Sequence, residues 1–338
     1  MKKFRSRKFP IHKTLRQPLV VLILVLGLAA GSMRVMAASP SPGASITPTP
    51  TPVSGQVTLA LMGDINLGRG VYPNSDTFTY IKPILDSVDL AMANLESPLT
   101  TKPVITKSPY ALCTKPERAK FLEDAGFDIL SFANNHDLDC GLSGRKETLS
   151  TLKQFNLDVI PPDAVTVYRE MNGVKLAFIA INATWAFDRQ ALLDAISTAY
   201  KQGAVVVVSI HWGDEYFAQP NRFQKALAKE MAEAGASLIW GHHPHVLQPV
   251  EWIFVPCTTG NPSATCRQTL VLYSLGNALF DQYSLPDTRQ SALAMVVMNQ
   301  AGVQQFQAIP FVIDEPRSRL AAAEDSTSKK ILERLRPK

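Results

Sequence analysis

Three of the chain's six histidines fall within four residues, in Gly241-His242-His243-Pro244-His245, directly after the apolar run Ala236 to Trp240. A short apolar run that ends in Gly and then in ligand-type residues reads as a buried strand. It delivers its cargo at the C-terminal edge, where open α/β sheets place their sites. A lone histidine is more often a hydrogen-bonded core residue than a ligand. Here His136 and His211 also sit just past apolar runs, so five of the six histidines occupy predicted strand ends and only His12 lies elsewhere. Imidazoles grouped in this way point to metal binding.

The other predicted strand ends supply the rest of a ligand set. Val57 to Met62 (VTLALM) ends at Gly63-Asp64, with Asn66 close behind, and Leu90 to Ala93 runs into Asn94-Leu95-Glu96. Ile129 to Ala133 delivers Asn134-Asn135-His136, and Ala204 to Ile210 (AVVVVSI) delivers His211. Collected together, Asp64, with Asn66 as a further candidate, Glu96, Asn135, His136, His211, His243 and His245 offer carboxylates, amides and imidazoles without a thiolate. That is the set of Mn, Fe or Zn rather than of a structural zinc knot. A carboxylate can bridge two divalent ions about 3.5–4 Å apart, and such a pair activates water and clamps both oxygens of an in-line displacement. Two metal ions are therefore expected.

Positioning these residues requires a large α/β body from about Val57 to about Ile313, roughly 257 residues. Helices are predicted at Thr79 to Val88 and at Pro116 to Ala125, the latter with Pro in its first turn. Together with the first three strands they give an alternating strand–helix order that favours parallel pairing. Val165 to Met171 and Val174 to Ile181 flank Asn172-Gly173, a strong hairpin signal. Helices at Gln190 to Lys201 and Arg222 to Ala234 bracket the strand Ala204 to Ile210. Strand-like runs follow at Val250 to Val255, Leu270 to Ser274, Ala292 to Met298 and Gln304 to Val312. Two sheets packed face to face with helices outside are expected. Asp314 to Lys338 reads as a charged C-terminal tail or peripheral helix.

The first 56 residues contain eight Lys or Arg and no Asp or Glu. With those set aside, 26 basic residues face 29 acidic ones, so the net charge of +5 becomes about −3 for the remainder. A nucleic-acid-binding domain would keep a positive face, and none is expected. The 13-residue apolar run Leu19 to Gly31 is short of a membrane span. With Val35 and Ala37 at minus three and minus one, residues 1–37 read as a secretory signal peptide cleaved after Ala37, or as an uncleaved signal anchor. Either places the body outside the cytoplasm, with the N-terminal segment as its sole membrane contact. Residues 38–56, rich in Pro, Ser and Thr, form a linker: a semi-rigid spacer or a plain disordered tether. The four cysteines are even in number, as suits an oxidising compartment. Cys257 and Cys266 flank a loop-rich stretch and are expected to pair, which leaves Cys113 for Cys140.

The ordered motifs GDxxxxR (Gly63, Asp64, Arg69), NLE (Asn94 to Glu96), ANNHxxDxG (Ala133 to Gly141), HWG (His211 to Gly213), GxHPHV (Gly241 to Val246) and SLGN (Ser274 to Asn277) resemble the bacterial CapA family of capsule or poly-γ-glutamate synthesis proteins. The resemblance covers nearly all of residues 57–313. That family is similar to the calcineurin-like metallophosphoesterases, which implies a four-layer α/β/β/α sandwich with a dinuclear metal site. Under the resemblance, Asp64 is the first-strand ligand, Glu96 stands for the bridging Asp, and Asn135, His211, His243 and His245 complete the metal set. His136 becomes the general acid or transition-state stabiliser. His242 occupies a Gly position of that pattern and reads as supporting or incidental. Two departures stand out: Asn66 replaces the imidazole of the DxH motif, and Glu96 is one methylene longer than Asp.

Arg69 could steady an anionic substrate or sit in a surface salt bridge. Asp139 could orient the His136 ring or cap the helix that starts near Gly144. Trp185 and Trp212 could floor the site or simply pack, and Asp214 and Glu215 read as solvated loop charges. Two functions follow. One is an extracytoplasmic metal-dependent hydrolase or transferase acting on a phosphorylated or polyanionic envelope substrate. The other is a non-catalytic accessory protein of capsule polymer synthesis, binding or export. A polymer synthase or exporter would be a separate partner in both. Protein secreted by a bacterial host is expected to begin at Ala38 on N-terminal sequencing, whereas an intact leader on a membrane-bound species establishes the anchor.

Overall fold

The computed structural model describes residues 54–256, 265–314 and 318–336. The leader, all but the end of the linker, and Cys257 lie outside the described residues. The order of elements opens with β1 (Gln56–Ile65), α1 (Lys82–Leu85), β2 (Leu90–Leu95), α2 (Ala119–Ala125), β3 (Ile129–Ser131), α3 (Gly141–Gln154) and β4 (Asp158–Ile160). It continues with β5 (Val167–Met171), β6 (Val174–Asn182), α4 (Arg189–Lys201), β7 (Val205–His211), α5 (Arg222–Ala234) and β8 (Ala236–His242). The last part comprises β9 (Val250–Pro256), β10 (Thr265–Leu272), β11 (Asn277–Leu279), β12 (Gln290–Asn299), β13 (Gly302–Asp314), β14 (Arg319–Ala322) and α6 (Asp325–Arg334).

One sheet has the order β14-β13-β12-β1-β2-β3-β4, with β11 beside the end of β1, and the other the order β5-β6-β7-β8-β10-β9. Within each, the central strands run parallel, β1 through β4 and β6, β7, β8 and β10. Antiparallel partners lie outside them.

Strand periodicity explains the layers. Leu59 and Leu61 turn to one side of β1 and join Met92, Phe178, Val207, Leu238 and Trp240 in a core between the sheets. Ala60 and Met62 turn to the other and pack with Leu122 of α2 and Leu152 of α3. Val206 and Val208 of β7 likewise meet Leu192 and Ile196 of α4 and Leu227 and Met231 of α5. With both faces covered, such strands must be apolar at every position, which is why AVVVVSI is unbroken. The result is the expected α/β/β/α sandwich.

Three details differ from the sequence expectations. The helix expected over Thr79 to Val88 shrinks to the four residues of α1 inside a run of turns, with Pro83 unable to donate a hydrogen bond. Of the two readings of the segment after 313, the helix is present as α6, and its described residues are packed and not a loose tail: β14 pairs with β13, and Ile331 and Leu335 are buried in the inter-sheet core. Its charged residues mask this, because only Ile331 and Leu335 carry α6 into the core. Finally, β4, β11 and β14 are three or four residues long and carry too little pattern to be seen in the sequence.

Cys113 and Cys140 form a disulfide with Cα atoms 6.3 Å apart. No helix among the described residues is long and apolar enough to cross a membrane. Ile331→Ala is expected to cost about 2–5 kcal/mol, the range for emptying a fully buried aliphatic position. Urea unfolding measures it, and a loss under about 0.5 kcal/mol, as at an exposed site, would return the segment to the status of a tail.

Candidate metal centre

The C-terminal ends of β1, β2, β7 and β8 meet where the two sheets face each other, and tight backbone contacts flank that junction, from Gly63 of β1 to the residue before β11 and from Gly241 of β8 to the residue after β10. A Cβ on Gly63 would lie 1.8 Å from the Gly276 carbonyl oxygen, and one on Gly241 would lie 2.2 Å from that of Tyr273. Only glycine fits at either point. The Asp64 amide donates to the Gly276 oxygen at 3.1 Å, so the GD and SLGN motifs are two halves of one contact.

Asp64 is fully buried. Its Oδ1 accepts from Asn94 Nδ2 at 2.8 Å and lies 3.3 Å from His242 Nδ1. Its Oδ2 accepts from the His243 amide at 3.2 Å and lies 3.2 Å from His245 Nδ1. Burial by itself would raise this carboxyl, but hydrogen bonds and charge from His242 and His245 outweigh it and hold Asp64 well below the usual carboxylate range. Burial likewise opposes the His245 imidazolium, yet the charge of Glu96 and the hydrogen bond and charge of Asp64 lift it to about 9. Glu96 is pushed well above its ordinary value, first by burial and then by the Asp64 charge. His211 falls well below its usual value through burial and the charge of His243, and burial with the charge of His245 takes His243 to about 4.

Two groups of side chains bring their ligand atoms within 4.8 Å of one another: Asp64, Glu96 and His211, and Glu215, His243 and His245. Asn135 adjoins the first, its Oδ1 2.8 Å from His211 Nε2. All six residues expected to hold metal are thus brought together, and Glu215, read from sequence as a loop charge, joins them. Its neighbour Asp214 does stay in the loop, accepting from Asn221 at 2.7 Å. Glu96 Oε2 and His243 Nδ1 are buried without a hydrogen-bond partner. An orphaned buried polar atom costs about 1–3 kcal/mol, and a cation between these groups would satisfy both. The donor set fits divalent ions of the Mn, Fe or Zn type. His243 and His245 also sit at positive φ, 93° and 57°, a conformation that non-glycine residues keep only where the surroundings enforce it.

The remaining candidates have distinct places. His136 Nδ1 lies 2.8 Å from Asp139 Oδ2, and its Nε2 lies 4.0 Å from Glu96 Oε2. Asp139 does not cap α3, whose N-cap is Cys140 with no side-chain bond. Arg69 makes a two-pronged salt bridge to Asp281, Nε to Oδ2 at 2.6 Å and Nη2 to Oδ1 at 2.5 Å, so much of its fork is committed. Asn66 turns away from the centre: its Oδ1 accepts from the Gly68 amide and from Ser97, both at 2.7 Å. His242 braces Asp64 from below, its Nε2 3.1 Å from Ser209 Oγ, which itself donates to Ser131 on the other sheet. Trp212 is buried against Tyr273, whereas Trp185 stands 69% exposed.

Sequence reasoning missed the role of Asn94 although NLE contains it. Its amide donates to Asp64 and lies 3.4 Å from His211 Nδ1, while its oxygen accepts from the buried Asn134 at 3.3 Å.

The family profile described as "Bacterial capsule synthesis protein PGA_cap" matches residues 58–282. The chain belongs to this family. The PGA biosynthesis protein CapA of Bacillus subtilis (strain 168) is 33% identical over 288 residues, covering 77% of this chain and 72% of that protein. The capsule biosynthesis protein CapA of Bacillus anthracis is 32% identical over 297 residues, covering 77% and 68%. A probable polyglutamine synthesis accessory protein of Mycobacterium tuberculosis (strain ATCC 25618 / H37Rv) is 23% identical over 197 residues, 49% of this chain and 52% of that one.

The raised pKa of Glu96 has a consequence for the metal-free protein. Its folded value lies above the unfolded value of about 4.3, so the stability it contributes is present below that pH and is lost as pH rises toward the folded value. Glu96→Gln is expected to make the metal-free protein more stable than wild type at pH 7, with the difference closing below about pH 4. Chemical denaturation at several pH values in the presence of chelator checks this; equal stability at pH 7 would mean that Glu96 is ionised there without strain.

Proposed function

We propose that this chain is an extracytoplasmic accessory protein of capsule or poly-γ-glutamate synthesis. In this reading it carries a dinuclear metal centre that hydrolyses, or transfers a group from, a phosphorylated or polyanionic envelope substrate. Asp64, Glu96 and His211 with Asn135 would hold one ion, Glu215, His243 and His245 the other, and Asp64 lies against both groups. The observation that carries the reading is the convergence of these groups around the orphaned Glu96 and His243 atoms. When bound, the ions would polarise a phosphoryl or acyl oxygen and activate water.

The chain's own residues supply the proton chemistry. With Nδ1 directed at Asp139, the His136 ring is fixed in orientation and its Nε2 faces Glu96, where it can give a proton to a leaving group. Asn94 and His242 keep Asp64 in place, which spares the site reorganisation during reaction. One observation favours the non-catalytic alternative: Asn66, at the position of a metal-ligating imidazole in the phosphoesterases, is engaged with Gly68 and Ser97. A site one donor short could hold an ion for polymer binding alone.

Metal analysis of the full chain purified without chelator should find close to two divalent ions. His243→Ala and His245→Ala are expected to lower bound metal and melting temperature together. A ligand at 100 times its Kd stabilises the native state by about 2.7 kcal/mol. Affinity should rise with pH, because Glu96 and His245 must release protons to bind metal. His136→Ala should keep its metal and lose about 10²- to 10⁴-fold in turnover of a phosphoester or γ-glutamyl substrate. Full metal retention in all the histidine variants would reject the centre, and metal binding with unchanged turnover in His136→Ala would remove that residue from the chemistry.

A further inference from the structure

Beside the metal centre, between the loop after β3 and the loop after β6, lies a cavity of about 570 Å³, within the range of small-molecule sites. Asn135 belongs to both places: it lines the cavity and its oxygen meets His211 at 2.8 Å. A substrate whose reacting group lies at the metal would place its neighbouring unit here. Trp185 forms part of the wall and is 69% exposed. Its loop is pinned at both ends, by Asn182 Oδ1 accepting from the Thr184 amide at 3.1 Å and by Asp188 capping α4 through the Ala191 amide at 2.9 Å. The indole is thus an apolar plate held open to solvent on a fixed stem, with Phe187 beside it in the lining.

The charged residues of the cavity decide what the plate can receive. Its one cation, Arg145, is engaged twice, through Nη2 with Asp137 at 2.6 Å and through Nη1 with Asp163 at 3.2 Å. Three carboxylates, Asp137, Asp163 and Asp188, face that single guanidinium, whose unpartnered Nε is buried, so a polyanionic chain meets net negative charge in the cavity. The surplus carboxylates would also draw an ammonium group, and what distinguishes the cavity from a plain cation site is the broad exposed indole beside them. What remains is a set of carboxylate lone pairs, which accept from hydroxyl donors, and the Asn135 amide nitrogen. Hydrogen-bond acceptors around an exposed aromatic face suit a ring with C–H groups on one side and hydroxyls on its rim.

We propose that this cavity binds a pyranose unit, stacked on Trp185, of a substrate whose reacting group lies at the metal centre. The placement of the reacting group rests on the proposed function, and the sugar subsite is testable without it. Calorimetric titration of the full chain with N,N′-diacetylchitobiose and with maltose, in the presence of chelator and again with added Mn²⁺, measures the subsite directly.

At least one disaccharide is expected to bind in both conditions. Trp185→Ala should weaken it about tenfold or more, and Trp185→Phe, which keeps an aromatic face, by less. His243→Ala should leave sugar binding unchanged, so that a failed metal reading and a failed sugar reading give different results. Because Trp185 is exposed, its variants should melt at the wild-type temperature. The proposal is overturned if neither disaccharide binds at millimolar concentration, or if Trp185→Ala binds as wild type does. It is also overturned if a γ-glutamyl trimer or spermidine binds in a Trp185-dependent manner more tightly than the sugars.

Discussion

A carboxylate taken out of water at the junction of two sheets must be paired or it neutralises. Asp64 is paired from both sides: Asn94 reaches it along its own sheet, and His242, His245 and the His243 amide reach it from the other. Its position therefore ties the two sheets together at one edge. Removing one partner of such a buried pair typically costs several kcal/mol, because the other charge is left uncompensated. The ion pair is in this sense as much a constraint on how the sheets meet as a part of the site.

The second carboxylate, Glu96, has no such compensation. Its Oε2 lacks a hydrogen-bond partner, and Asp64 and burial both act against its ionised form. The protein keeps an acidic group where its own side chains do not satisfy it, which is the environment in which a cation changes the balance most. A divalent ion would reverse the local preference, favouring the ionised carboxylate and neutral imidazoles.

Around this rigid floor, loops set the finer geometry. The stretch from Leu99 to Thr114 folds over the start of α3, the Leu112 amide donating to Asp139 Oδ2 at 2.8 Å and the Ile105 amide to the Asp139 backbone oxygen at 2.9 Å. The Cys113–Cys140 disulfide fastens that stretch to the residue after Asp139. The carboxylate that meets His136 is thus held by a loop and a cross-link outside the sheets, as is usual where loops carry function on a fixed scaffold. On the far side of Asn135, the exposed indole of Trp185 and the carboxylate-rich lining of the neighbouring cavity differ in character from the buried cluster of histidines and carboxylates.

Much of this was legible in the chain itself. The α/β/β/α layering follows from unbroken apolar strands, which require cover on both faces, and from the helices between them. The residues at strand ends follow from the abrupt change of type after each run, since a parallel strand leaves its core at its C-terminal end. Other features needed the tertiary structure, because they depend on which side a side chain takes once loops close. Asn66 and Glu215 show this: the Asn lies two residues from Asp64 yet turns to Gly68 and Ser97, while the Glu, part of an ordinary loop by sequence, lies against His243 and His245. Arg69 finds Asp281, more than 200 positions away, and Ile331 reaches the core from a charged segment. Periodicity and residue type are local properties and survive in a string of letters. The partner of a polar side chain is decided by packing between distant elements, and only the folded chain contains it.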